Sequence, residues 1–395
     1  MKVLLSNLRY DSKRRIQPSA FIWFLLAIIA VLVELHRGSI NNYLIFKGVF
    51  WHTINQSNLY IYYPGEYLDL NHYGPVFSLF IFPFAILPNW LGVILWAVLN
   101  AWILFYAINQ LPVSPSSKNI ILLLSSIEMM TSIHNVQFNP MLTGWLILTF
   151  VCINKDKTAL ACFFIVAGFL IKIYGLAGIL FFFFSKEKLK FVTCLLFWLI
   201  LLFLLPMTIS SPSFIIQSYL DWFHALVDKN AVNIRLDSYG IDLSVMGMIR
   251  RVLKIDTLTN ASILIPAIIA ISIPLLKIRL YDDINFRLSY LALILISVVI
   301  FSSSAESPTF VIAVTGVAIW YAINYTEKRG LEMVLLVFVM CITCLSNTDL
   351  FPKYIYNHVI KPFSLKALPC FIIWIVLLVN LLVARPVSTS STQLT

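Results

Sequence analysis

Apolar stretches alternate along this chain with short polar or basic breaks, from Ala20–Leu35 through Phe191–Ile209 and Ile263–Leu276 to Leu368–Leu382. A hydrocarbon core of roughly 30 Å asks for about 20 apolar residues per helix. Backbone groups inside lipid are satisfied only in helices or closed barrels. The repeated runs predict an all-α, polytopic transmembrane helical bundle. Gly74–Ile108 departs from the rhythm, because its two apolar runs are broken at Pro83, Pro88 and Asn89. The first run, of about 14 residues, is too short for a comfortable span. It reads as a kinked or re-entrant segment feeding one full helix. Asn42–Ile54 carries Tyr43, Phe46, Phe50 and Ile54 at helical intervals, which predicts an amphipathic helix lying on the membrane surface.

Basic residues orient the spans, since cytoplasmic loops hold the excess of Lys and Arg. Lys2, Arg9, Lys13, Arg14 and Arg15 precede the first span with no small-residue cleavage site near its end. Residues 1–19 therefore read as an uncleaved cytoplasmic lead-in. The loops Lys155–Lys157, Lys186–Lys190, Lys277–Arg287 and Lys328–Arg329 fall on the same side. His36–Tyr73 and the large loop Ser210–Asn260 then lie outside. Counting backward from Lys155 puts Ser114–Lys118 inside and His134–Asn139 outside. The expectation is about 12 spans in one domain over 1–385, both termini cytoplasmic, followed by a disordered Ser/Thr-rich tail over 386–395.

Composition agrees with a membrane protein: 60% of the 395 residues are hydrophobic and 12% charged, outside the range of soluble domains. The formal charge of +10 is spread over short loops, so it reports topology and gives no reason to expect nucleic acid. The six cysteines all sit in apolar runs, Cys341 and Cys344 included, and imply packing rather than disulfides or metal.

With topology set by basic residues alone, the other polar groups provide a check. All six histidines fall outside or at the outer boundary, as do Glu66, Asp69 and Glu306. Titratable groups converging on one face point to a reactive site, although a water-filled vestibule would look the same. Glu66, Asp69 and His72 lie within seven residues where the first outer loop re-enters the membrane. Asp69 and His72 would share a face if that segment were helical. Such a set suits acid–base work, and equally a solvated, capped loop. No spacing demands a metal. Lys172 closes the apolar run Ala159–Ile171 and either snorkels or meets an anion. Arg250 and Arg251 offer phosphate-binding forks or act as interfacial anchors. Glu128, about 9 Å inward of His134 at helical rise, has to face a cavity or a partner.

Taken in order, several short motifs resemble glycosyltransferase family 87, polytopic transferases of the GT-C superfamily. Asn58-Leu-Tyr60 is similar to the end of the family's first outer loop. Tyr73-Gly-Pro75 and Phe82-Pro-Phe-Ala-Ile-Leu-Pro88 resemble its Tyr-Pro-Pro and Pro-Leu-Ala-x-Leu-Pro elements. Gln137 and Asn139 sit where the family has Gly-Gln-x-Asn. Lys172 matches the lysine closing a later helix. Ser244-Val-Met-Gly247 with Arg251, and Ser307-Pro308, match two late elements.

The resemblance implies a GT-C-like bundle in the cell membrane. It also implies a polyprenyl-phosphate sugar donor, mannose most commonly, and transfer to a lipid or glycan acceptor on the outer face without a cofactor. In that scheme Asn42, Gln137 and Asn139 position sugar hydroxyls, Lys172 and Arg251 stabilise the leaving phosphate, and His72, Tyr73 and Arg250 also bind substrate. The family's early-loop aspartate aligns with Asn42, which cannot take a proton, and Thr309 and Phe310 stand where a histidine follows the late Ser-Pro. The base is then expected at Asp69, with Glu306 and Glu66 next. The competing classes are a lipid-linked glycan ligase or polymerase, a transporter or flippase of lipid-linked sugar, and a non-catalytic scaffold. A transporter would place polar residues at mid-membrane and show internal repeats, and neither is evident here.

Cysteine labels placed at Asn58 and Asp237 are expected to react from outside the cell, and one at Ser185 only from the cytoplasm. Reaction of the Asp237 label from the cytoplasm would break the parity and scatter the outer groups across both faces.

Overall fold

Helix signals at the chain's turns translate directly into structure. Ser114 and Ser211 each cap a helix that begins with proline, their hydroxyls accepting from Ser117 N–H and Phe214 N–H. Asp283 caps another by accepting from Asn285 and Phe286. Each of these caps satisfies backbone donors that the first helical turn leaves open. The computed structural model describes residues 18–237, 241–324 and 330–386. Most of the expected lead-in, the Lys328–Arg329 loop and nearly all of the tail lie outside the described residues.

The helices are α1 (Pro18–Arg37), α2 (Asn41–Asn55), α3 (Phe77–Ala85), α4 (Asn89–Gln110), α5 (Pro115–His134), α6 (Asn139–Asn154) and α7 (Thr158–Ile171). A 3-10 helix, Ile173–Phe184, follows. After it come α8 (Lys188–Leu204), α9 (Pro212–Asn233), α10 (Val245–Leu253), α11 (Ala261–Ser272), α12 (Ile284–Ile300), α13 (Phe310–Asn324), α14 (Leu331–Phe338) and α15 (Leu368–Val383). No strand occurs among the described residues. Among the described residues five helices are long and apolar enough to cross a membrane: Pro18–Arg37, Asn89–Gln110, Lys188–Thr208, Ser307–Asn324 and Leu365–Val383. Six shorter apolar helices accompany them.

Burial separates central helices from peripheral ones. In α6 every residue from Asn139 to Ile153 is buried, as expected of a helix apolar on all sides. α12 and α13 pack together beside it with nearly all side chains enclosed. α8 buries only Phe191 and Leu202 and presents the rest of its apolar surface outward. Its surroundings have to be apolar.

The bundle has two chemically distinct ends. At one, Lys118 donates to the Asn109 carbonyl, Lys155 to Gln110, Lys186 pairs with Asp156, and Arg287 donates to Asn154. These contacts gather the basic loops. At the other end, Lys47 of α2 donates to Asn89 at the start of α4. The segment between Gly74 and Pro88 thus stays on the side of α2, and α4 alone runs the length of the bundle, about 33 Å at helical rise. The expected short segment is α3, which carries Pro83.

Two expectations change. Asn41–Asn55 is helical, but it does not lie on a membrane by its apolar face. Tyr43, Phe46 and Phe50 are buried against α3, Tyr73, Trp96 and Phe77, because α3 folds back over that face. Residues 68–73 are not helical, so Asp69 and His72 do not share a helix face. Two consecutive side chain–backbone clasps shape this stretch instead: Leu70 N–H to Asp69, and Tyr73 N–H to Asn71. The long loop over 210–260 is largely folded, as α9 and α10.

The joint between the re-entrant segment and the bundle is a backbone contact. Gly74 N–H donates to Ile171 O (3.1 Å), and a Cβ at Gly74 would lie 1.9 Å from the Leu170 carbonyl oxygen. Only glycine permits that approach. Gly74→Ala is expected to lower stability by about 1–3 kcal/mol, read as a lower thermal midpoint of the detergent-solubilised protein. An unchanged midpoint would mean the two strands of chain part without cost.

Candidate active site

The Gly74 contact places His72 and Tyr73 over the turn between α7 and the 3-10 helix. That turn is tight, because Gly175 packs against Gly168 where a Cβ would meet backbone at 2.2 Å. At its apex Lys172 is extended (φ −148°, ψ 123°) and aims its side chain into a cavity of about 450 Å³. Lys172 Nζ donates to Asn139 Oδ1 (2.7 Å) and lies 5.8 and 5.1 Å from the Tyr73 and Tyr174 ring centres. Asn139 is buried, and its Nδ2 donates to Pro308 O (3.1 Å). Burial is the main influence on Lys172 and lowers its pKa to about 8, with Glu306 opposing and Lys229 adding to the shift.

Tyr73 is fixed from several directions. Its hydroxyl donates to Gln137 Oε1 (3.0 Å), its N–H to Asn71 Oδ1, and its carbonyl accepts from Tyr60 OH (2.9 Å). His72 is held through its carbonyl, which accepts from Trp222 Nε1 of α9 (2.9 Å). Its ring lines the cavity with Nδ1 buried and unpartnered among the described residues. Burial, then Lys229 and Lys172, lowers the His72 pKa to about 3. The imidazole is neutral at physiological pH and offers a hydrogen bond rather than a charge.

Polar groups ring the mouth. Asn42 Nδ2 donates to Asn135 O (2.7 Å), and Asn41 Oδ1 accepts from Leu68 N–H (2.7 Å). The Asn41 bond tethers the segment bearing Asp69, so Asp69 and Asn42 line one cavity. Asp69 is exposed at the rim. Glu306 also lines the cavity and pairs with Lys229 Nζ (3.0 Å), both partly buried.

Of the residues singled out from sequence, Asn42, Asp69, His72, Tyr73, Gln137, Lys172 and Glu306 line this cavity, and Asn139 supports Lys172 from beneath. Glu66 does not join them. It is half exposed and pairs with His52 (3.0 Å). Arg250 and Arg251 are also absent from the lining. Arg250 binds Asp242 (2.9 Å), the Leu258 carbonyl and Asn260, while Arg251 donates to the Asp242 carbonyl and Ser364. Their donors are directed at protein groups that hold the 241–260 segment. Burial raises the Asp242 pKa despite the opposing Ser244 and Arg250 contacts.

Lys229, Tyr174 and Ser302 also line the cavity, without a sequence motif to mark them. For Lys229 a signal of spacing existed: Trp222, Leu226 and Lys229 recur at helical spacing behind the Ser211-Pro212 start of α9, which puts all three on one face.

A second, apolar groove of about 460 Å³ adjoins the cavity and shares Ile173, Tyr174 and Ser302 with it. It runs between the 3-10 helix, α11 and α12, past Leu176, Leu264, Ile268, Ile271, Val298 and Phe301. A cationic, polar end thus opens onto an apolar trough. Among the described residues no group of three His, Cys, Asp or Glu side chains gathers for a metal ion.

Residues 71–347, most of the chain, match the model of glycosyltransferase family 87. The matched span includes His72, Tyr73, Gln137, Asn139, Lys172 and Glu306 but begins after Asn42, Glu66 and Asp69. No curated protein matches the chain.

The Lys172 pKa carries a prediction. The ammonium is present below about 8 and lost above it, so an anion bound there is held more weakly as pH rises. Binding of an alkyl phosphate, followed between pH 6.5 and 9.5, is expected to weaken across pH 8 in the unmodified protein and to show no such step in Lys172→Met. A step that persists in Lys172→Met would assign it to another group.

Proposed function

The chain belongs to glycosyltransferase family 87 and is a membrane glycosyltransferase; on that premise we propose that it moves a hexose, mannose in the family's commonest case, from polyprenyl phosphate to a lipid or glycan acceptor. The observation that carries the donor assignment is the continuity between the Lys172 cavity and the apolar groove. A polyprenyl-phosphate sugar is a polar head on a long apolar tail, and it needs those two environments side by side. The phosphate lies by Lys172, the isoprenoid chain runs past Leu176 and Ile268, and the sugar faces His72, Tyr73 and Gln137. Arg250 and Arg251 act at a distance, by holding the loop whose Asn260 borders the groove.

The reaction is a direct displacement. The acceptor hydroxyl oxygen attacks the anomeric carbon, a carboxylate takes the hydroxyl proton, and the anomeric C–O bond to phosphate breaks. Polyprenyl phosphate leaves with the electron pair. The transition state has oxocarbenium character, as in glycosidases, and Lys172 stabilises the charge that develops on the phosphate. Asp69 is the proposed base: it lines the cavity with Asn42, the position where the family's aspartate is expected, and Asn41 tethers its segment there. Glu306 is second, its carboxylate already facing Lys229. Glu66, paired with His52 away from the cavity, is third.

The proposed membrane arrangement is a GT-C-like bundle of about 12 spans in the cell membrane, with the cavity on the outer face. In this arrangement the five long helices, the six shorter apolar ones and Pro115–His134 would each cross once, the long five being the support for it.

The test is incubation of the purified protein with polyprenyl-phosphate sugars, lipid-pyrophosphate glycans and extracted membrane lipids, with products identified by mass spectrometry. Transfer from a polyprenyl-phosphate sugar is expected. Asp69→Asn should reduce it by roughly 10²–10⁴-fold, the usual contribution of a general base, while still binding donor. Lys172→Ala should weaken donor binding at unchanged expression. Full turnover by Asp69→Asn moves the base to Glu306, and transfer only from lipid pyrophosphate rejects the donor assignment.

A further inference from the structure

Behind the cavity lies an ion pair that the reaction above does not use. Glu128 of α5 and Lys366 are 2.9 Å apart, with side chains 0% and 4% exposed. Lys366 also stands 5.1 Å from the Phe310 ring centre. A charge pair taken out of water gains little over apolar packing, so its retention calls for a role beyond stability. A further hydrogen bond of the pair suggests that role: Lys366 Nζ donates to Ser307 Oγ (2.8 Å).

Ser307 opens the short turn Ser307–Thr309 that follows Glu306. The next carbonyl, on Pro308, accepts from Asn139 Nδ2, and Asn139 Oδ1 accepts from Lys172 Nζ. A continuous relay of hydrogen bonds and one peptide unit therefore runs from Glu128 through Lys366, Ser307, Pro308 and Asn139 to Lys172. Glu306 immediately precedes this turn, and its carbonyl accepts from Thr309 N–H within it. Resting on the donor assignment above, we propose that Glu128 and Lys366 are positioning residues, a buried clamp that fixes the Glu306–Thr309 turn and, through it, the direction of the Lys172 ammonium.

The clamp explains why the site tolerates a lysine at its floor. Asn139 can accept from Lys172 only while its amide nitrogen is turned toward Pro308, and the Pro308 carbonyl points that way only while the turn is held. Lys366 supplies the hold from a side where neither substrate enters. Glu128 keeps Lys366 aimed, since without that partner at 2.9 Å its Nζ would turn toward water. Misplacement by about 1 Å at a reacting centre costs on the order of 10²-fold in rate, so a modest shift of the turn is measurable.

Changing Glu128 or Lys366 alone also removes a buried charge partner, and loss of folding would then hide the kinetics. Ser307→Ala avoids this, because it cuts the relay while leaving the Glu128–Lys366 pair in place. Ser307→Thr keeps the hydroxyl and serves as the rescue. Thermal midpoint, steady-state transfer and the affinity for polyprenyl phosphate alone are measured for each variant. For Ser307→Ala the expected result is an unchanged midpoint, a fall in kcat of about tenfold or more and severalfold weaker polyprenyl-phosphate binding, with both kinetic and binding values recovered in Ser307→Thr. Wild-type kcat and wild-type polyprenyl-phosphate affinity in Ser307→Ala would overturn the clamp. If the unmodified protein transfers no sugar, the donor reading fails by itself, and polyprenyl-phosphate binding in the two variants still decides the relay.

Discussion

Lys172 brings a positive charge into a part of the chain where both flanking segments are apolar, and the surrounding structure is organised around that charge. An ammonium out of bulk water is tolerated only with hydrogen bonds and opposing charge close by. Asn139 provides the hydrogen bond, the Tyr73 and Tyr174 rings provide π faces, and Glu306 provides a carboxylate whose field favours the charged form. Each partner comes from a different element. Keeping them together requires Gly74 to approach the Leu170 carbonyl, Asn71 and Tyr60 to hold the Tyr73 backbone, and Trp222 to reach the His72 carbonyl. The result is a cation that binding of an anion would stabilise further.

Division of the molecule into ends follows from the same economy of charge. Basic loops collect where Lys155, Lys186 and Arg287 find Gln110, Asp156 and Asn154. Asp69, Glu306, His72, Asn41, Asn42 and Gln137 line the cavity at the opposite end. Between them the central helices α6, α12 and α13 are closely packed and largely apolar. The apolar trough beside Tyr174 lies along the bundle's flank. A lipid-borne head group approaching from the side would meet Lys172 without crossing the core.

Much of this was legible in the sequence, and the exceptions have physical reasons. Lys172 stood out because a charge ending an apolar run needs a partner. Tyr73, Gln137 and Asn139 stood out by motif, and Glu306 by sidedness. Glu128 was expected to have a partner and has Lys366, but 238 residues of separation hid which one. The amphipathic pattern of Asn41–Asn55 correctly indicated a helix, whereas the choice between lipid and protein as its apolar neighbour depended on α3 folding back. Proximity in sequence misled at Glu66, which lies three residues from Asp69 but turns to His52. Arg250 and Arg251 misled for a different reason. Each guanidinium is a fork suited to an oxyanion, but both turn to Asp242, with Leu258 and Asn260 completing the contacts of Arg250 and Ser364 those of Arg251.

The central claim is that one lipid phosphate spans the Lys172 cavity and the adjoining apolar trough. Its most direct measurement is photo-crosslinking of the protein in membranes with a polyprenyl phosphate carrying a diazirine in its tail, and mapping of labelled peptides by mass spectrometry. The account predicts label concentrated on the segments containing Leu176, Leu180, Leu264 and Ile268, competed away by unlabelled polyprenyl phosphate and lost in Lys172→Ala. Label distributed over α8, or unaffected by either competitor or substitution, would contradict it.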